Sequence, residues 1–170
     1  MITIPNFRQT CLLIFLGCAG LLVIAIYIEP FASMTPCPMC MMQRAVFAAL
    51  ALITLIAAIH HPQALGRKVY LAVTSLIAVG GAAIASRQVW LQHLPEDQVP
   101  ACGPGLAYMM EVFPLLEVIE MALVGTGDCA KVEWSLFGLS VAGWSLLAFI
   151  AIAALCLLVL RNKNTINLNN

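Results

Sequence analysis

Residues 134–160 read WSLFGLSVAGWSLLAFIAIAALCLLVL, 27 positions between Glu133 and Arg161 without a charged side chain. A bilayer core about 30 Å thick is crossed by roughly 20 helical residues. The run is long enough to span it, too long for a buried strand, and dominated by Leu and Ala. Working outward, 20 uncharged residues separate Arg8 from Glu29 and 18 separate Lys68 from Arg87. Another 15 separate Arg44 from His60, extended at the front by Met41, Met42 and Gln43. These runs predict an all-α membrane protein: one four-helix transmembrane domain over 1–170, with spans at about 10–28, 42–60, 69–87 and 135–160. Composition agrees. Of 170 residues, 62% are apolar and 9% charged, eight of each sign, against about 25% charged in a soluble domain. That excludes a soluble enzyme, a disordered chain and a nucleic-acid binder, which needs a basic face. Lipid is the expected surrounding. The first run exceeds the apolar core of about 7–15 residues in a signal peptide, and no small-x-small site follows, so an uncleaved anchor is expected.

Four spans put both termini on one side, with Arg8, Arg67, Lys68, Arg161 and Lys163. Arg44, Arg87 and Lys131 fall on the other. The basic excess assigns the termini and the turn at 61–68 to the cytoplasm. Loops at about 29–41 and 88–134 then face outward and carry all eight acids. Tyr27, Phe31, Trp90 and Trp134 lie near the outer ends, where interfacial aromatics belong. Within the long loop, 113–124 has a helical pattern too short to span; it lies on the membrane surface or packs on the bundle.

Cysteine placement points to the chemistry. Cys37 and Cys40 stand in Thr35-Pro-Cys-Pro-Met-Cys, just before the second span, and Cys102 and Cys129 share the long outer loop. All four fall on the expected oxidising side, where disulfides persist. A C-x-x-C at a helix start suits thiol exchange, because the helix N-terminus favours a thiolate. Arg44, one turn beyond Cys40, adds a fixed charge that favours the thiolate or holds a ligand oxygen. Competing readings are a structural disulfide with Arg44 snorkelling to the interface, and a four-cysteine zinc site, disfavoured by the 27-residue separation of Cys102 and Cys129. A disulfide closing that loop stabilises it by about 3–4 kcal/mol in the chain-entropy picture. Two outer pairs allow a relay by exchange between loops. No haem or iron–sulfur ligand pattern and no cytosolic dithiol loop is present, so elimination leaves a membrane-soluble acceptor; Cys40 and Arg44 sit at the depth of a quinone headgroup. No metal is expected.

The chain resembles the bacterial disulfide bond formation protein B family (DsbB) over nearly its whole length. The resemblance rests on Pro36-Cys-Pro-Met-Cys40 with Arg44, the second cysteine pair, Leu91-Gln92, Pro100-Ala-Cys-Gly-Pro-Gly105, Gly127-Asp-Cys-Ala130, Trp134 and Gly138-Leu-Ser140. It implies an inner-membrane thiol oxidase with redox-active pairs Cys37–Cys40 and Cys102–Cys129 facing the periplasm. Such an enzyme reoxidises a periplasmic thioredoxin-fold dithiol oxidase (DsbA-like) and passes two electrons to ubiquinone or menaquinone. By the same resemblance Cys102 takes the mixed disulfide with the partner, Cys37 exchanges with Cys129, Cys40 faces the quinone as a thiolate, and Arg44 assists at the quinone site. Some members use a histidine near the outer end of the third span. Here that region reads Arg87-Gln88, with His93 further on, which leaves helping roles for these three residues open.

Other readings compete. Cys11, Cys18 and Cys156 read as small apolar fillers; Cys11 and Cys156 also suit a conduit carrying reducing equivalents outward. A non-enzymatic scaffold or small transporter with structural disulfides is the remaining alternative, opposed by the lack of a mid-span acid. Met39, Met41 and Met42 suit either interfacial packing or a wall for a ring ligand.

Overall fold

The structure, a computed structural model, describes residues 6–32, 36–60, 62–103, 105–132 and 134–162. Four long helices dominate: α1 (Phe7–Ala32), α2 (Pro38–His60), α3 (Ala64–Leu91) and, last in the chain, α7 (Val141–Arg161). Each contains a stretch long and apolar enough to cross a membrane, the first of them over Phe7–Tyr27. Between α3 and α7 lie a 3-10 turn (Glu96–Gln98), α4 (Leu106–Val112), α5 (Leu115–Val124), α6 (Gly127–Ala130) and a hairpin of β1 (Ser135–Leu136) and β2 (Leu139–Ser140). The four-helix, almost strandless architecture expected from the uncharged runs is what the chain forms.

Packing follows chain order, α1 against α2 and α2 against α3, with α3 closing most extensively on α7. In lipid, apolar surface gives little drive to helix association, so close van der Waals fit takes over. The third helix supplies that fit with small residues: Ala78, Gly81 and Ala85 are all buried. A β-carbon at Gly81 would sit 2.7 Å from the Phe149 ring, which itself stacks on Phe47 at 4.2 Å between centroids. Outward, Leu13, Leu16, Val23, Ile24 and Ile26 of α1 and Leu76 and Val79 of α3 are exposed. That much apolar surface is a lipid-facing surface, beyond what a water-soluble monomer carries.

Element limits differ from the expectation at two places that shape the site. The second helix starts at Pro38 rather than near 42. Proline's fixed φ and missing N–H suit the first helical position. The Cys37 sulfur accepts from the Cys40 backbone N–H at 3.3 Å, as an N-cap side chain does. Cys40 is thereby held inside the first turn. The fourth helix starts at Val141, not 135, because 135–140 folds into the hairpin, with Ser135 opposite Ser140 and Leu136 opposite Leu139. Phe137 and Gly138 turn it with φ of 54° and 79°, the positive pair of a two-residue hairpin turn. Ser140 then caps α7, its hydroxyl accepting from Gly143 N–H at 3.2 Å. Hydrophobicity alone hides this turn, since four of those six residues are Leu, Phe or Gly and none is charged.

The segment expected to be helical at 113–124 is α5. It buries Val118 and Ala122 and leaves Leu115, Leu116, Ile119 and Leu123 exposed. Both α5 and α6 lie against α2, and α6 also against α3. The long loop therefore covers the end of the bundle where α2 begins and α3 finishes.

Candidate functional site

Three of the four predicted redox cysteines meet at that end. Cys37, Met39, Leu91 and Cys129 form a small buried cluster, with Cys40, Leu94 and Ala130 packed on it. Two glycines allow the long loop to come this close. Gly125 ends α5 with φ 87°, and a β-carbon there would lie 2.5 Å from Leu91. At Gly127 a β-carbon would meet the Pro100 carbonyl at 2.5 Å and the Cys102 sulfur at 3.3 Å. Gly127 N–H donates to the Ala101 carbonyl at 3.1 Å, tying α6 to the 100–102 segment. Met39, one candidate for a ring-ligand wall, is instead fully buried in the cluster.

Cys37 sits between two sulfurs. It donates to Cys40 Sγ at 2.7 Å, and Cys129 lies with it in the same buried cluster. The Cys37 thiol is pushed far above its ordinary range, first by the hydrogen bond to Cys129, then by that to Cys40, then by burial. Cys129 moves the other way, down to about 6. The Cys37 hydrogen bond is the largest cause; burial opposes it, and the Met39 and Thr126 backbone amides and the Thr126 hydroxyl add to it. Cys102 stands apart from this cluster and is exposed. Its neighbour Lys131, paired with Asp128 at 3.2 Å, is held above its ordinary range first by that carboxylate and then by the Cys102 sulfur. So the arrangement offers one exposed sulfur, Cys102, and a chain of three more enclosed ones: Cys129 and Cys37 buried, Cys40 half-buried. Neighbouring sulfurs of this kind exchange bonds by thiolate attack.

Beside Cys40 opens a cavity of about 380 Å³ between α1, α2 and α7. Leu21, Leu22, Phe47, Trp134 and Val141 give it apolar walls, and Cys37, Cys40, Gln43, Arg44 and Gln88 line its polar side. Its size falls within the ordinary range of small-molecule sites, roughly 300–1,000 Å³. Apolar walls facing a guanidinium and amide N–H donors suit a flat ring carrying carbonyl oxygens.

Of the residues left open by the sequence, Gln88 belongs to the site. Buried at the end of α3, it donates from Nε2 to Cys40 Sγ at 3.2 Å and Cys37 Sγ at 3.4 Å. Arg87 points elsewhere: it donates to the Val124 carbonyl at 3.1 Å and lies 4.3 Å over the Trp90 ring, holding α5 to α3. His93 is exposed, its Nδ1 2.8 Å from the Val89 carbonyl. Gln43 was not singled out by sequence, yet it is buried and donates to Gln88 Oε1 at 2.7 Å. The available signal was its place three residues after Cys40, on one helical face. Gln92 also lines the cavity and accepts from the Ser140 hydroxyl at 2.6 Å, joining α3 to the hairpin. Cys11, Cys18 and Cys156 lie in the apolar core of the bundle with Phe7, Ile14, Leu71 and Val159. Among the described residues no group of three or more His, Cys, Asp or Glu is arranged to hold a metal ion.

A family model described as Disulfide bond formation protein DsbB matches residues 7–159. The Disulfide bond formation protein B of Saccharophagus degradans is 51% identical over 152 residues, covering 89% of this chain and 92% of the relative. That of Methylococcus capsulatus is 48% identical over 156 residues, covering 92% and 95%. That of Hahella chejuensis is 50% identical over 147 residues, covering 86% and 89%.

Proposed function

The chain belongs to the disulfide bond formation protein B family, membrane-embedded thiol oxidoreductases of disulfide bond formation, and from that premise we propose that it reoxidises a periplasmic thioredoxin-fold dithiol oxidase and passes the two electrons to a membrane quinone. The site lies at the periplasmic face of a bacterial inner membrane, with pairs Cys37–Cys40 and Cys102–Cys129 in the resting enzyme. A partner thiolate attacks Cys102, whose bond to Cys129 breaks and releases Cys129 as a thiolate. Cys129 attacks Cys37; the Cys37–Cys40 bond breaks, and Cys40 leaves with the electron pair. The partner's second thiol displaces Cys102, and the partner departs oxidised. Cys102 then attacks Cys129, restoring their disulfide and freeing Cys37. The chain is left with a Cys37/Cys40 dithiol, two electrons and two protons richer. Ubiquinone or menaquinone, when bound, accepts those electrons and protons and returns the pair to its disulfide. Arg44, together with the Cys40 sulfur, would hold the ring's polar edge.

One observation carries this reading: Cys37 donates to Cys40 Sγ at 2.7 Å and shares a buried cluster with Cys129, which brings the two loops together. The exposure of Cys102 suits its encounter with a protein partner, and the cavity beside Cys40 and Arg44 fits a quinone ring. The test is quinone reduction by a reduced thioredoxin-fold partner in reconstituted membranes. Cys37→Ser and Cys40→Ser are each expected to abolish turnover; undiminished rates in both would reject the reading.

A further inference from the structure

Two buried amides, 45 positions apart in the chain, are linked side chain to side chain beside the sulfur pair. Gln43 and Gln88 are only 4% and 3% exposed, so each amide must find partners inside the protein. Gln43 Nε2 donates to Gln88 Oε1 at 2.7 Å. That bond fixes which way the Gln88 amide faces, because an acceptor engaged by one neighbour leaves the NH2 for the other. The NH2 then falls 3.2 Å from Cys40 Sγ and 3.4 Å from Cys37 Sγ. The Gln43 side chain therefore sets the polarity of Gln88, and Gln88 presents a donor to the sulfurs.

We propose that Gln88 is a catalytic hydrogen-bond donor to the Cys40 leaving sulfur, and that Gln43 is the positioning residue that keeps its amide in the donating orientation. This rests on the proposed exchange, in which the bond from Cys129 to Cys37 forms as the Cys37–Cys40 bond breaks and the electron pair leaves on Cys40. A neutral donor suits this place. It stabilises the negative sulfur without adding a permanent buried charge, and a hydrogen bond to an ionised group is about twice as strong as a neutral one. Gln88 and Arg44 both line the cavity, so the donor to the sulfur and the fixed charge come from different side chains. Because the donor is aimed before the bond breaks, no reorganisation accompanies the appearance of charge.

The test uses the full-length reduced protein in detergent, with no quinone and no partner, and reads iodoacetamide capture at Cys40 by peptide mass across pH. Cys102 serves as an internal reference. Gln88→Leu is expected to slow Cys40 capture at neutral pH about tenfold, the value of one charge-assisted hydrogen bond lost, and to move its midpoint to higher pH, with Cys102 unaffected. Gln43→Leu, which touches neither sulfur, is expected to give a smaller slowing, about threefold, with a smaller displacement in the same direction of pH; a purely structural role for Gln43 would not move the pH profile. Unchanged Cys40 capture in Gln88→Leu overturns the donor role. An unchanged profile in Gln43→Leu, measurable even where Gln88→Leu fails to fold, overturns the positioning role. Failure of the wild type to reduce quinone would reject the electron route while leaving these capture rates to judge the amide pair separately.

Discussion

In the reduced chain Cys129 favours the thiolate, because the neighbouring Cys37 thiol donates a hydrogen bond to it. The Cys37 hydrogen bond outweighs burial and brings Cys129 down to about 6, from an ordinary value of about 8.5. In the reduced protein, capture of Cys129 by iodoacetamide should therefore rise with pH to a midpoint near 6. Cys37→Ala, which removes the donor, should raise that midpoint toward the ordinary thiol range; a midpoint unmoved in the variant would contradict the cause assigned to it. The linkage has a definite sign. A thiol whose folded value is depressed contributes stability fully present above its unfolded value and lost as pH falls through about 6. Reduced protein should thus lose this contribution in mildly acidic buffer. Arg44 makes a second prediction at this scale. Lysine keeps the charge but not the planar fork, so Arg44→Lys should raise the apparent quinone KM severalfold; an unchanged KM would remove Arg44 from the quinone site. That Cys37, Cys40 and Arg44 would lie side by side was legible in the sequence, because C-x-x-C and one further turn of helix fix their spacing. Gln43 was not, since a lone amide in an apolar run has no spacing of its own. Its meaning appears only when Gln88, 45 positions later, is folded against it.

Helix number and order were readable at the element scale, because each long helix needs an uncharged run, and 15 to 27 residues without charge leave few alternatives. Helix starts were not, because they are set by caps and turns. Pro38 and the Cys37 sulfur open α2 early, and the Phe137-Gly138 turn delays α7 by six positions from the expected 135. These shifts matter to function. The first places Cys40 in a helical first turn; the second lets the hairpin wall the cavity, with Leu136 and Phe137 among its lining. The tight crossing of α3 on α7 yields a prediction of its own. A methyl group at Gly81 must displace a Phe149 ring that is fully buried and stacked on Phe47. Gly81→Ala should destabilise the detergent-solubilised protein by about 1–3 kcal/mol, the usual cost of overpacking. Thermal unfolding followed by helical circular dichroism checks this, and an unchanged transition would show that the crossing has slack. Phe47 also lines the cavity, so the same substitution connects bundle packing to ligand binding.

Across the whole molecule, one end of the bundle collects the reactive sulfurs, the amide pair, the guanidinium and the cavity, while the remaining three cysteines are packed in apolar core. That division is what a chain needs if it is to exchange bonds with a protein from water and electrons with a molecule from lipid. In the proposed function this end faces the periplasm, as the excess of basic residues at the opposite end leads one to expect. Spacing alone could not place Cys129 beside Cys37 with Cys102 exposed, because 26 intervening residues fix no distance; only the family resemblance pointed to Cys37 and Cys129 as exchange partners. That placement depends on the glycine contacts at 125 and 127 and on the α5 and α6 segments folding back over α2. The central claim concerns where two electrons go, and a single-turnover titration tests it most directly. Oxidised protein loaded with quinone is mixed, without oxygen, with a limiting amount of reduced thioredoxin-fold partner, and quinone absorbance is followed alongside the partner's thiol content. The expected result is one quinone reduced for each partner disulfide formed, with no net change in the chain's own thiols. Partner oxidation with the quinone left untouched would contradict it.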